Sequence, residues 1–406
     1  MSWLRKIAEL AADRSANVAM IFAITLPAIV GFCGLGGETA LWYFKQRDLQ
    51  GAADVAAYNG AIALRGGATQ SAITQLASTD ATTSGWNAST GTITVNTPPT
   101  SGTHKISRAV EVILTQSQPR FFTALFNAKP VLIRTRAVAV YNDLGYACLL
   151  ALNKSASAAV NFWGNSSATF TDCNVYSNSI SPTGFQQGGS STASMPCALS
   201  AGGFNVTSGL TVTSCSAPVS NAAEVADPYA ALPAPPIPNG CTNGNSSSLS
   251  PGKYCNGLTI NGTTTLAPGV YVISGGTLKI NANANVTGSG VTFYLTNGAT
   301  VQMNGNANVN LSAPTSGTYS GILFYGDRTQ ANNSNTINGT ASSSMTGAIY
   351  FPSQQVSVLG NFSGANGCMQ VVADTIAYSG NAHFSTNCSA YGLSSVSTPG
   401  AVALVE

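Results

Sequence analysis

Charge is what this chain has least of. Lys, Arg, Asp and Glu make up 7% of its 406 residues, against roughly 25% in an average soluble domain. Only two histidines occur, and the formal net charge is +2. The few charges are unevenly spread: residues 1–143 hold 12 basic and 8 acidic side chains, residues 144–406 only 4 and 6. A net charge near zero over residues 144–406 argues against nucleic acid as a partner, because binding it needs Lys and Arg to neutralise phosphates. Metal-ligand spacing is missing too. No two cysteines stand as CxxC or CxxxxC, and His104 and His383 are isolated, so neither a zinc site nor a cofactor is expected. Glycoside cleavage needs paired carboxylates, yet Asp172, Glu224, Asp227, Asp327, Asp374 and Glu406 form no DD or DxxD. Asp327-Arg328 with Asp374 is the one place to watch, and an exposed loop ion pair is the expectation there. Gly-rich pieces such as GGTLKI at 275–280 lack the strand–GxGxxG–helix setting of a nucleotide loop. No catalytic residue is expected.

What is present begins with an uncharged run of 20 residues, VAMIFAITLPAIVGFCGLGG, from Val18 to Gly37. About 20 apolar residues are what an α-helix needs to cross a bilayer, and Pro27 is tolerable inside such a helix. A cleaved signal peptide is the rival, but the run exceeds a typical h-region and no A-x-A site follows. Cys33 is not a lipoprotein cysteine, because bulky Phe32 precedes it. Arg5, Lys6 and Arg14 make the short N-terminus basic and hence cytoplasmic, while Trp3, Trp42 and Tyr43 mark the two interfaces. The expectation is a cytoplasmic 1–17, a transmembrane helix over 18–42 and a helical continuation over 43–67 that Gly66-Gly67 ends. Ala52, Ala53, Ala56 and Ala57 are small enough to pack against a partner helix, or against the chain's own small domain.

These residues resemble a known family. Asp13 to Leu64 is similar to the N-terminus of TadE/TadG-like proteins of the bacterial tight-adherence (Flp) pilus machinery. The matching features are Ala16-Asn17-Val18-Ala19, the FAITLP element from Phe22 to Pro27, and LQGAADVAA from Leu49 to Ala57. Family members often carry Asp near the end of the span, where this chain has Glu38. The block from Val110 to Tyr141 resembles the strand–helix–strand portion of TadG-like proteins. ACLLALNKSASAAV from Ala147, ADPYAALPAPPIP from Ala226 and GAIYFPSQQVSVLGN from Gly347 also resemble elements of that group. Some TadG-like proteins contain a von Willebrand factor A domain with a D-x-S-x-S metal site; that motif is missing here. The resemblance implies a non-enzymatic, membrane-anchored component assisting Flp pili, partnered by other Tad components or pilin-like proteins. A carbohydrate-binding adhesin or a β-helix enzyme acting on polysaccharide is the alternative.

Residues 68–143 read as a small α/β domain. TQSAITQLAST suits a short helix, GTITVNT and RAVEVILTQ alternate like strands, and PRFFTALF follows a Pro that can start a helix. From 144 to 406 Gly and Asn dominate, and a short motif recurs: INGT at Ile260, INAN at Ile280, MNGN at Met303, INGT at Ile337, VLGN at Val358 and YSGN at Tyr378. Its third positions are Gly262, Ala282, Gly305, Gly339, Gly360 and Gly380, spaced by 20, 23, 34, 21 and 20. FWGN at Phe162 reads as an earlier copy. A period near 20 with short strands indicates a parallel β-helix whose coils stack in turn, with asparagines bonding along the stack. A β-sandwich is the alternative. KINANANVTGSGVTFYL, Lys279 to Leu295, alternates as one strand up to a Gly-Ser-Gly break. Which of its two faces points inward stays open at this level. The Pro-rich stretch 227–240 reads as a covering segment or a mobile linker.

Apart from Cys33, eight cysteines fall after residue 144: Cys148, Cys173, Cys197, Cys215, Cys241, Cys255, Cys368 and Cys388. Disulfides in an oxidising compartment fit that set. Of the possible connectivities, sequential neighbours each close a loop of about one coil: 148–173, 197–215, 241–255 and 368–388. The fold expected is therefore a membrane-anchored α+β protein, with one transmembrane helix, a small α/β domain and an Asn/Gly-rich parallel β-helix. Its place would be a bacterial inner membrane, with the bulk in the periplasm or outside the cell.

Overall fold

In the computed structural model, residues 14–331, 333–381, 383–385 and 388–406 are described. Trp3, Arg5 and Lys6 lie outside them. The chain forms two compact units. One runs to Tyr141 and takes back Val402–Glu406; the other is Asn142–Ala401. The five C-terminal residues thus belong with the small domain, where the sequence reading put them in the β-helix.

The first unit is built on α1 (Arg14–Arg65), a 52-residue helix. Its apolar first half is exposed, with Ile21, Phe22, Ile24 and Phe32 at 60% or more. Its second half buries Leu49, Ala52, Ala53, Ala56, Ala57 and Ala61. The alanines therefore face the chain's own domain. They lie against α2 (Gln70–Thr83) and a three-stranded antiparallel sheet of β1 (Gly91–Asn96), β2 (Ala109–Gln118) and the first part of β3 (Val131–Ala151). Thr69 caps α2, its side chain accepting from the Ala72 amide. The helix expected from PRFFTALF is only a 3-10 turn, Thr123–Leu125. Most of that segment's apolar side chains have no core to face, and a helix this short draws its stability from packing.

The second unit is a β-solenoid of about ten turns. The β-sandwich alternative fails because, among the described residues, the ladders that join coil to coil are parallel. Three ladders run along it. The first joins strands 252–255, 269–274, 291–296, 322–326, 347–351 and 369–373. It then continues onto 147–151, 174–177 and 198–200. The coils consequently do not stack in chain order. The last coil pairs with the first: Val371 with Leu149, Ile376 with Val160 and Phe384 with Phe170. FWGN at Phe162 is a copy of the motif, with Phe162 in register with Tyr378, and it sits directly beyond the YSGN coil. The chain enters and leaves the solenoid at a seam within the stack, with Gly400 packed beside Asn142 and Leu144.

Aligned apolar residues fill the interior. Tyr254, Tyr271, Phe293 and Phe324 stack with centroids 5.9, 5.5 and 5.3 Å apart. At the seam Phe170 stacks on Phe384 at 5.1 Å and Phe162 lies 5.2 Å from Tyr378. Such pairs add to the burial of their area.

KINANANVTGSGVTFYL is not one strand up to its Gly-Ser-Gly break. Strands Thr277–Ile280 and Asn285–Ser289 are separated by a corner. Asn283 there takes φ +62°, and the Ala284 amide donates to the Asn281 carbonyl at 3.2 Å. Asn and Gly tolerate that left-handed conformation better than other residues. Ala284 and Val286 point inward, while Asn283, Asn285 and Ala282 are exposed. Outside, amides bond from coil to coil: Asn281 to Asn261 at 2.5 Å, Asn308 to Asn285 at 3.3 Å and Asn381 to Asn361 at 3.0 Å.

Candidate functional site

The first ladder is buried on both faces. Its outward row runs Val272, Tyr294, Tyr325, Tyr350, Val372, Leu150, Tyr176 and Leu199. A row of this kind needs cover, and the segment from 219 through the Pro-rich stretch supplies it. Val219 bridges Leu199, and the Val225 amide donates to Asn178 at 2.9 Å. The Tyr229 hydroxyl donates to Gln370 at 2.5 Å, and the carbonyl of Leu232 accepts from Tyr325 at 3.1 Å. The Cys241–Cys255 disulfide fixes the far end. This strap crosses the seam and returns the chain from one end of the stack to the other.

Arg328 pins the strap. Its guanidinium lies 5.3 Å above the Tyr325 ring and 5.4 Å above that of Tyr350. It donates to the carbonyls of Tyr229 at 2.5 Å and Leu232 at 2.8 Å, and to the Tyr350 hydroxyl at 3.0 Å. Tyr350 in turn donates to Asp227 Oδ2 at 2.7 Å. Burial, and then that bond to Asp227, raise the Tyr350 pKa. Burial pushes Tyr325 up to about 12 despite Arg328 beside it. These groups stay protonated and act as donors.

The loop ion pair expected at Asp327-Arg328 is not among the ion pairs of the described residues. Asp327 instead accepts from Thr296 at 2.6 Å and from the Thr329 amide and hydroxyl at 2.9 and 2.8 Å. Burial alone would raise its pKa, but these bonds outweigh it and hold it below the usual value. Asp374 accepts from Asn153 at 3.0 Å. It lines a recess of about 230 Å³ with Asn333, Ser353, Gln355 and Thr375. Among the described residues that line it, Asp374 is the one carboxylate. His383 Nε2 lies 3.0 Å from the Thr171 hydroxyl, and His104 Nδ1 lies 3.1 Å from Glu406. Among the described residues no three His, Cys, Asp or Glu side chains gather as a metal site.

The cysteines pair as Cys148–Cys173, Cys197–Cys215, Cys241–Cys255 and Cys368–Cys388, and Cys33 is free and exposed. The first and last pairs lie on either side of the seam. The six repeat positions all fall at the corner between a second ladder, which joins 258–260, 277–280, 300–303, 334–337, 355–358 and 375–378, and a third, which joins 263–266, 285–289, 308–312 and 344–346 and goes on to Ser363 and His383, but they differ in crowding. A Cβ on Gly262 meets nothing within 4 Å, and Ala282 is exposed. On Gly305 a Cβ would stand 3.2 Å from Asn338, and on Gly339 2.8 Å from Ser343. At Gly360 and Gly380 it would collide with the backbone of the preceding coil.

In the first unit the composition gave no hint of a buried charge network. Glu111 is fully buried and accepts from Asn96 at 2.7 Å, Thr100 at 2.9 Å, Ser101 at 3.0 Å and Arg136 Nε at 2.7 Å. Arg136 also pairs with Glu406, whose backbone joins β3 through the Val138 amide at 2.7 Å. Glu406 is held well below the usual carboxylate range, first by Arg136 and then by the Thr103 amide. Its partner is remote in sequence, which is why no local pattern announced it.

Residues 206–387 match a family described as a domain of unknown function (DUF7305). That span takes in the strap and the coils from 247 to the seam, and leaves out the coils at 147–205. No curated protein matches the chain, and no solved structure matches it.

Proposed function

We propose that this chain is a non-enzymatic, membrane-anchored structural component that assists assembly or stabilisation of Flp/Tad-type pili in a bacterial envelope. The observation that carries the reading is where the polar chemistry goes. Arg328, Asp227, Asp327, Glu111 and Arg136 are each engaged in holding chain to chain, and none converges on an open cleft. The α1 segment Ile21–Arg65 is long and apolar enough to span a bilayer. Four disulfides suit an oxidising compartment outside the cytoplasm. A cytoplasmic N-terminus in the inner membrane, with the solenoid in the periplasm or beyond, is the topology we infer. The mechanism is positional: α1 holds the protein at the membrane while the strapped solenoid presents a stiff surface to pilin-like or Tad secretion partners.

The test is a deletion strain scored for surface pili, with affinity capture of the full chain from native membranes. Loss or shortening of pili and co-capture of pilus secretion components are expected. Normal pili in the deletion strain would sink the reading, and release of sugars from polysaccharide by the purified chain would replace it with an enzymatic one.

A further inference from the structure

The loop between β2 and β3, residues 119–130, carries three large apolar side chains that the first unit leaves uncovered. Phe121, Leu125 and Phe126 are 66%, 84% and 77% exposed. The loop itself is firmly held. The amides of Phe121 and Thr123 each donate to the buried Glu38 carboxylate at 2.7 Å. The Arg120 guanidinium lies 5.2 Å from the Trp42 ring centroid and donates to the Lys129 carbonyl at 2.8 Å. Phe122 packs against Gly34, where a Cβ would stand 2.5 Å from the ring.

Gly34, Glu38 and Trp42 are spaced by four residues and lie on one face of α1. The contacts come in order along that face: Arg120 against Trp42, the next amides against Glu38, Phe122 against Gly34. The loop therefore descends toward the apolar half of the helix. At 1.5 Å per residue, Gly34 lies about 12 Å along the axis from Trp42. The uncharged run that fits the hydrocarbon core ends at Gly37. Phe122 thus touches the helix where that run ends, and the exposed side chains flank it. Arg120 and Lys129 stand at the two ends of the loop. Apolar tips flanked by cations are the composition of segments that seat at the boundary of acyl chains and headgroups.

We propose that loop 119–130 is a second membrane contact, with Phe121, Leu125 and Phe126 embedded in the leaflet from which α1 emerges. Glu38 acts as a positioning residue that locks the loop at this depth. The proposal rests on the membrane-anchored reading of α1. It makes that anchor two-pointed, so the first unit is held in orientation as well as in place.

The test uses the full chain in liposomes of phosphatidylethanolamine and phosphatidylglycerol. Spin labels are placed at native Cys33 and, in a C33S background, at Leu125→Cys, Phe126→Cys and Gln75→Cys. Gln75 is an exposed α2 position. The expected result is a several-fold higher ratio of oxygen to nickel-chelate accessibility at 125 and 126 than at 75, approaching that at Cys33. Water-like ratios at 125 and 126 with a lipid-like Cys33 would overturn the loop contact and leave the anchor standing. Water-like ratios at all positions would overturn both. Shielding of 125 and 126 from both probes would mean a protein partner covers the loop, and would also overturn the proposal.

Discussion

Phe170 and Phe384, 214 positions apart in the chain, stack at 5.1 Å with their planes 21° apart. The contact lies on the seam where the last coil meets the first. Both rings are buried. Replacing a buried Phe by Ala costs about 3–5 kcal/mol where the site cannot collapse. Phe384→Ala should reach that range in urea unfolding of the oxidised chain. Phe204→Ala, at a ring only partly buried against the core, should cost less. Equal losses would mean that the seam is no more cooperative than the rest of the stack.

Arg328 fixes the strap through two carbonyls and two tyrosine rings. A lysine keeps the charge but not the planar fork. Both Arg328→Ala and Arg328→Lys should therefore speed proteolytic nicking within 227–240. Hydrogen bonds from charged groups are worth about 1.5–3 kcal/mol, so local opening should rise by at least about tenfold. Unchanged cleavage in the lysine variant would show that charge alone holds the strap.

Gly262 and Gly380 occupy equivalent corners yet should respond differently to alanine. At Gly262 φ is +67° and space is open, so the cost is the left-handed backbone alone, about 1 kcal/mol. At Gly380 the added methyl meets the Gly360 carbonyl, and overpacking costs about 1–3 kcal/mol. Thermal melting of the two variants compares them directly.

Acid should weaken the first unit in a defined window. Burial would raise the Glu111 pKa, but bonds from Asn96, Thr100 and Arg136 outweigh it and bring it to about 2 from an ordinary 4.5. A depressed carboxylate contributes stability that is complete above its unfolded pKa and disappears as pH falls through the folded one. The loss should run between about pH 5 and pH 2. Glu111→Gln should be less stable near neutrality and should flatten that part of the profile. A profile unchanged by the substitution would remove Glu111 as its source.

Much of the architecture was legible because it is written locally. The long apolar helix, its end at Gly66-Gly67 and the coil period follow from neighbouring residues. The stacking order does not, because every coil offers the same backbone edge and the pairing of 369–373 with 147–151 is set by what remains unpaired. The strap was half visible. VTFYLT at 291–296 is buried throughout, and an unbroken apolar run, where one-sided strands alternate, marks burial on both faces. The fixing residue, Arg328, looked like half of a loop ion pair because its real partners are carbonyls nearly a hundred positions earlier.

Because the solenoid is entered at Asn142 and left near Gly400, which packs beside it, a pull transmitted through those two points acts on neighbouring strands at the seam. The two arms of the stack, one ending near Leu249 and the other near Val212, lie outside that load path. A partner docked on either arm would keep its surface undistorted while the protein is strained.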